Sequence, residues 1–240
     1  MVKYLDLTFA DPESNLACDE ALLEIFETER CDDGLLRIWQ PDRYFVVLGH
    51  SNRVNAEANV AACTAGGVPI LRRMSGGGAV VQGPGCLNYS LILDCAVHKI
   101  SSIRLAFGYV LERHRQWIAE LTHFAVSVAG VSDLTVDGRK FSGNAQYRKA
   151  RYVLVHGTFL LGFELSLMDR YLPLPTRQPA YRQNRRHLEF VGNINVEGRT
   201  LRTCLRENWN ADTDFNGLGS DRVDSLVSRR YGRADWSNKF

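Results

Sequence analysis

The chain has 240 residues, 45% of them hydrophobic and 23% charged, with a formal net charge of +2. That is enough chain for one large domain with a substantial core, and the charge is too balanced to imply a nucleic-acid binder. No apolar run approaches the roughly 20 residues of a membrane helix, and the amino end lacks a signal-peptide core, so the cytoplasm is the expected compartment.

In chain order, "NLACDEALLEIFETER" predicts a helix, with Leu16, Leu23 and Phe26 inward and its Asp and Glu residues on the opposite face. "GLLRIWQ" and "YFVVLGH" predict strands around a turn at Pro41–Asp42. "NAEANVAACTAGG" predicts one short helix ended by Gly66–Gly67. "VPILRRM", "AVVQ" and "LNYSLILDC" predict strands, the first feeding the triple glycine Gly76–Gly78. The longest helix is predicted over "SSIRLAFGYVLERHRQWIAEL", capped by Ser102. "FAVSVAG" and "YVLVHGTFLLGF" predict strands, the second apolar nearly throughout and so central. Tyr171 to His187 is rich in Pro and Arg and predicts an extended loop. "RTLRTCLREN" predicts an amphipathic helix around Cys204, and the tail predicts a short helix. Strands and helices without a βαβ rhythm indicate an α+β fold with a large mixed sheet, as a single domain over residues 1–240.

Two stretches carry chemistry. Asp137–Gly138 is a two-residue hairpin signal. It predicts Val136 opposite Arg139, Thr135 opposite Lys140, Leu134 opposite Phe141 and Asp133 opposite Ser142. One face then carries Asp133, Thr135, Lys140 and Ser142, which suits an oxyanion, although a lysine on a strand is ordinarily solvated. The "SGNAQ" that follows bares backbone N–H groups as a phosphate cradle would. In "RRMSGGGAVVQGPGCLNYS", Arg72 and Arg73 point to opposite faces of a strand, so only one can face a ligand. The glycines fit neither a Walker loop nor G-x-G-x-x-G, but they let backbone approach a ligand closely.

"RRMSGGGAV", "GRKFSGNAQ" and "HGT" (His156 to Thr158), in that order, resemble the lipoate–protein ligase A family of the biotin/lipoate ligase superfamily. "NLACDEALLE" and the pattern from Trp39 to Glu57 are similar too, so the likeness runs from about Asn15 onward. The resemblance implies a mostly antiparallel sheet flanked by helices. It implies ATP-dependent activation of lipoate to lipoyl-AMP, then transfer to a lysine of a lipoyl-carrier protein, a lipoyl domain or a glycine-cleavage H-like protein. Lys140 would be catalytic, bridging the lipoyl carbonyl and the α-phosphate. Arg73, Gly76, Gly77, Gly78, Ala79, Val80, Val81, Asn88, Asp133 and Ser142 would hold ATP or adenylate. Gly77, Val80, Gly143 and His156 would join Lys140 at lipoate, and Asp133 is the one candidate for Mg²⁺.

Three departures stand out. "QGPGC" replaces the family's usual types at Gln82, Gly83 and Cys86, and its "GPG" is similar to octanoyltransferases of the superfamily. Ser132 precedes Asp133 where Asn is common. The sequence stops about where many members begin a C-terminal accessory domain, so that domain is expected to be absent or supplied by a separate small subunit. The rival reading is a cofactor-independent octanoyl or lipoyl transferase using a cysteine thioester, with Cys86 the sole cysteine near the site. A third reading is a non-catalytic acyl- or RNA-binding protein using Arg177, Arg182, Arg185 and Arg186. That cluster reads as a solvated loop or as a docking face for an acidic carrier domain.

Overall fold

The computed structural model describes residues 1–31 and 34–240. The chain opens with strand β1 (Val2–Asp6) and helix α1 (Pro12–Glu29). Asp11 caps α1 by accepting from Ser14 N at 2.7 Å, and Pro12 fits the first turn, which needs no N–H. Strands β2 (Gly34–Trp39) and β3 (Phe45–Leu48) follow. The one helix expected next is two, α2 (Val54–Glu57) and α3 (Val60–Ala65), because Asn59 stops the first and caps the second through Ala62 N.

Strands β4 (Ile70–Arg72) and β5 (Val80–Gln82) flank the glycine run, and β6 (Cys86–Asp94) leaves it. Helix α4 (Ile103–Thr122) is capped by Ser102 as expected, the hydroxyl accepting from Leu105 N. Strands β7 (Val126–Ala129), β8 (Asp133–Val136), β9 (Arg139–Arg148) and β10 (Tyr152–Leu160) come next. The Pro/Arg-rich segment is not wholly extended. It runs between α5 (Ser166–Tyr171) and α6 (His187–Phe190), with a 3-10 turn at Ala180–Arg182. Helix α7 (Gly198–Asn208), strand β11 (Thr213–Asp214) and helices α8 (Ser220–Leu226) and α9 (Ala234–Ser237) complete the chain.

The large sheet has the order β11-β1-β2-β6-β10-β9-β8-β7. Pairing is antiparallel from β2 through to β7, and parallel where β1 meets β2 and β11. The fold is therefore α+β with a mixed, mostly antiparallel sheet flanked by helices. A small sheet, β4-β3-β5, stands apart, so the strands either side of Pro41–Asp42 belong to different sheets.

The central strands are apolar on both faces because both faces are covered. The row Leu35–Ile92–Leu154 packs with α1 and α8, and the row Leu36–Leu91–Val155 packs with α4 and α7. A third core lies under the small sheet, around Val46, Val81, Cys86, Leu160 and Phe190. Helix α1 departs from expectation, since Asp19 and Glu20 are buried rather than solvent-facing. Each has a partner that permits this. Asp19 pairs with Arg37 at 2.7 Å, and Glu20 accepts from the Tyr231 hydroxyl at 2.6 Å and pairs with Arg230.

Candidate active site

A cavity of about 460 Å³ opens between the glycine run, β9, β10 and the Pro/Arg-rich segment. Of the residues singled out in the sequence, Arg73, Gly77, Gly78, Ala79, Val80, Val81, Asn88, Asp133, Lys140, Ser142, Gly143 and His156 border it. Gly76 does not; its carbonyl faces Arg73 instead.

The hairpin turn is as expected, with Asp137 and Gly138 at positive φ (50° and 69°). The register is not. Val136 faces Arg139 and Thr135 faces Lys140, but Leu134 then faces Ser142 and Asp133 faces Gly143. Phe141 is the extra residue of a β-bulge. The shift lets both Leu134 and Phe141 enter the core beside α4. It also leaves Thr135 away from the cavity, its hydroxyl donating to Ser127 O. Lys140 and Asp133 still meet, with Nζ 2.7 Å from Oδ1. Asp133 Oδ2 accepts from the Tyr181 hydroxyl at 2.7 Å. Burial and the neighbouring Asp133 charge raise the Tyr181 phenol well above its ordinary value, so it stays a donor.

The two arginines divide as alternation requires. Arg72 turns away from the cavity and donates to the carbonyls of Gly49, His50, Asn52, Trp236 and Ser237. Arg73 turns toward the glycine run and donates to Gly76 O (2.6 Å), Gly78 O (2.9 Å) and Ser75 Oγ (3.1 Å). Burial lowers its pKa to about 10, which keeps it cationic near neutrality. The loop curls around this guanidinium. Gly77 sits at φ 97°, and a side chain on Gly49 would collide with Gly77 O. Beside Gly76 and Gly78 the space is open.

On β10, His156 Nε2 is 2.7 Å from Ser75 Oγ, and Nδ1 is 3.5 Å from Asp19 Oδ2. Asn88, Gln82 and Thr158 close a triangle of hydrogen bonds. Asn88 therefore meets a ligand only as part of that triangle. Ser142 borders the cavity but is buried, accepting from Asn144 at 3.4 Å.

Sequence reasoning missed several wall residues. Asn144 accepts from Tyr89 OH at 2.6 Å and donates to Ser132 O, and a side chain on Gly157 would overlap it. Gly157 in "HGT" is thus required by Asn144, a pairing visible only once β9 and β10 are in register. The contacts that tie the Pro/Arg-rich segment to the cavity wall include Tyr181 to Asp133 and Thr176 to Glu57 (2.7 Å), and Arg185 donates to Gly138 O in the hairpin turn (3.2 Å). Arg177 and Arg182 border the cavity. The solvated-loop reading holds for Arg186, whose side chain is 73% exposed. It fails for Arg182, which is buried over the Phe190 ring and donates to Arg185 O.

Cys86 is buried in the third core, outside the cavity wall, and burial pushes its thiol up to about 12. That is the opposite of nucleophile activation. Among the described residues no three His, Cys, Asp or Glu side chains cluster as a metal site, and no helix is long and apolar enough to cross a membrane.

Comparison with known proteins gives a consistent answer. The family model described as lipoyl protein ligase A/B catalytic domain matches residues 11–204. A protein of Aeropyrum pernix named as a lipoate-protein ligase A is 33% identical over 168 residues, 69% of this chain and 60% of its own. Octanoyltransferase LipM of Oceanobacillus iheyensis is 26% identical over 210 residues, 81% of this chain and 76% of its own. The chain spans about half the length of the curated lipoate-protein ligases it matches. Among solved structures, the bi-partite lipoate protein ligase of Thermoplasma acidophilum, described with its E2 lipoyl domain, superposes with a TM-score of 0.83. That match has 20% identity and covers 99% of this chain and 96% of that one. The chain belongs to the lipoyl protein ligase A/B catalytic domain family.

Proposed function

We propose that the protein is an ATP-dependent lipoate–protein ligase, making lipoyl-AMP and passing the lipoyl group to a lysine of a lipoyl domain. One observation carries this reading. Lys140 Nζ stands in the wall of a mostly apolar cavity, held by Asp133, with the Arg73-curled glycine loop in the same wall.

The first step joins two anions, a carboxylate and a triphosphate. The carboxylate is already ionised near neutrality, so the site needs no general base but must offset repulsion. Lys140 exchanges Asp133 for the incoming oxygens and bridges them. Arg177 and Arg182, which also border the cavity, add positive charge. Val80, Leu16 and Trp39 offer an apolar wall for the acyl chain, and the open space beside Gly78 admits phosphate close to backbone. In the second step the neutral amine of the carrier lysine attacks the acyl carbonyl, the bond from that carbon to the phosphate oxygen breaks, AMP leaves as an anion without needing an acid, and the amine's proton passes to solvent.

The donor set does not fit a protein-built magnesium centre, because Tyr181 engages Asp133 Oδ2 and, among the described residues, no acidic cluster accompanies that carboxylate. A divalent ion would arrive on the triphosphate, mostly hydrated. The bi-partite description of the Thermoplasma neighbour supports a separate accessory chain and a lipoyl domain as partners.

Lipoate-dependent ATP–pyrophosphate exchange tests the reading. It is expected in the wild type and abolished in Lys140→Ala with the fold intact. Acyl transfer from an acylated carrier, without exchange and lost in Cys86→Ala, would replace it with the transferase reading that the LipM similarity keeps in view.

A further inference from the structure

Asp19 and Arg37 lie outside the cavity wall, yet a line of polar contacts joins them to it, its longest link the 3.5 Å between Asp19 and His156. Arg37 Nη1 donates to Asp19 Oδ1 at 2.7 Å. The guanidinium is pinned on its other sides by Leu7 O (3.1 Å), Asn15 O (2.8 Å) and Asn15 Oδ1 (2.9 Å), so it cannot swing. Asp19 Oδ2 faces His156 Nδ1 at 3.5 Å. The other ring nitrogen lies 2.7 Å from Ser75 Oγ, which accepts from Arg73 Nε at 3.1 Å. Arg73 in turn holds Gly76 O and Gly78 O.

The chemistry of the groups fixes the sense of the line. A carboxylate only accepts, so the ring proton belongs on Nδ1. Nε2 is then an acceptor, and the Ser75 hydroxyl donates to it. Burial alone would raise the Asp19 carboxyl, but Arg37 and the His156 hydrogen bond outweigh burial and lower it, so the carboxylate is the form that anchors the line.

Ser, His and Asp in a row are also the residue types of an acyl-transfer triad. Here the serine cannot attack. Ser75 is fully buried, is absent from the cavity wall, and its oxygen is already occupied by Arg73. His156 alone of the three reaches the cavity.

We propose that Asp19 and Arg37 are positioning residues, fixing the Nδ1–H tautomer of His156 and, through Ser75, the curl of the Arg73–Gly78 loop before substrate arrives. The kinetic consequence rests on the ligase reading; the structural consequence does not.

The test uses the full chain with 15N-labelled histidine at about pH 8.5, two units above the ordinary imidazole value. His156→Gln assigns the resonance. The wild type is expected to show a protonated Nδ1 and an unprotonated Nε2 at His156. In Asp19→Asn, a donor faces Nδ1, so the tautomer is expected to reverse and kcat for lipoate-dependent exchange to fall about 10- to 100-fold, the scale of a remotely misplaced site. Ser75→Ala leaves the Asp19–Arg37 pair whole and keeps the test open if Asp19→Asn fails to fold. It is expected to keep the tautomer while the His50 amide, which donates to Ser75 O at 2.8 Å, exchanges about tenfold faster, as beside a locally loosened loop. An Nε2–H ring in the wild type, an unchanged ring in folded Asp19→Asn, or unchanged His50 amide exchange in Ser75→Ala each overturns the proposal. So does covalent labelling of Ser75 by a fluorophosphonate. If the wild type shows no pyrophosphate exchange, the ligase reading fails, and the tautomer and amide measurements still decide this one.

Discussion

Lys140 lies across the backbone of Gly143. A Cβ on residue 143 would sit 2.7 Å from both Cε and Nζ of Lys140. The colliding atoms are the free end of a flexible side chain, so Gly143→Ala displaces the ammonium rather than the strand. Its melting temperature is expected to stay close to the wild type. Its pyrophosphate exchange is expected to drop about 100- to 1,000-fold, as when one positioned donor is lost. Full activity in Gly143→Ala would show that the ammonium does not need this position.

Tyr181 ties the Pro/Arg-rich segment to the cavity wall through Asp133, beside Thr176 on Glu57. Tyr181→Phe keeps the ring against Phe190 and removes only the bond to Asp133. Limited trypsin digestion is expected to cut faster at Arg177, Arg185 and Arg186, and ATP with lipoate is expected to restore protection. Unchanged cleavage would place the hold on this segment elsewhere, at Thr176 and Glu57.

His114 sits fully buried among Tyr89, Trp117, Phe159 and Trp209, and its Nε2 accepts from Trp209 Nε1 at 3.0 Å. Burial, with a smaller contribution from Arg113, lowers its pKa from 6.5 to about 3. Between those values the unfolded chain binds a proton that the folded chain refuses. This contribution is complete above the unfolded value and is lost as pH falls from 6.5 toward 3, by about 1.4 kcal/mol per unit. Urea midpoints compared between neutral and mildly acid solution are expected to fall less in His114→Phe than in the wild type. Equal losses would mean that other groups set the acid limb.

Cys86 packs with Val46, Val81 and Leu160, and its thiol is shifted upward. Native protein treated with iodoacetamide is expected to leave Cys86 unlabelled. Cys86→Ala is expected to retain exchange, at a stability cost of about 1–2 kcal/mol for the small cavity left behind. Rapid labelling with loss of acyl transfer would reverse this.

Much of the fold is legible because periodicity reports burial. The run from Tyr152 to Leu160 reads as central and is, with β6 on one side and β9 on the other. The opposed roles of Arg72 and Arg73 follow from strand alternation alone. The bulge at Phe141 is not legible, since a polar–apolar alternation reads identically whether or not one residue is extra, and only packing against α4 decides. Asp19 and Glu20 mislead because a charge on a helix ordinarily means solvent. Their partners, Arg37, Tyr231 and Arg230, lie far along the chain, and no local pattern announces them. Tyr181 and Asp133 meet across 48 residues for the same reason, in a segment with no period at all.

Arg72 stands one peptide bond from Arg73 and faces the other way. Two of its backbone acceptors, Trp236 O and Ser237 O, come from the chain's final turn, and the Phe240 ring covers the guanidinium at 5.4 Å. Peeling that turn away strands a dry cation, at roughly 1–3 kcal/mol per donor left bare. Anything joined beyond Phe240, a purification tag or a further domain, therefore tugs on the same short strand from which the loop's own arginine hangs. An addition ahead of Met1 hangs instead from β1, three strands away from β10.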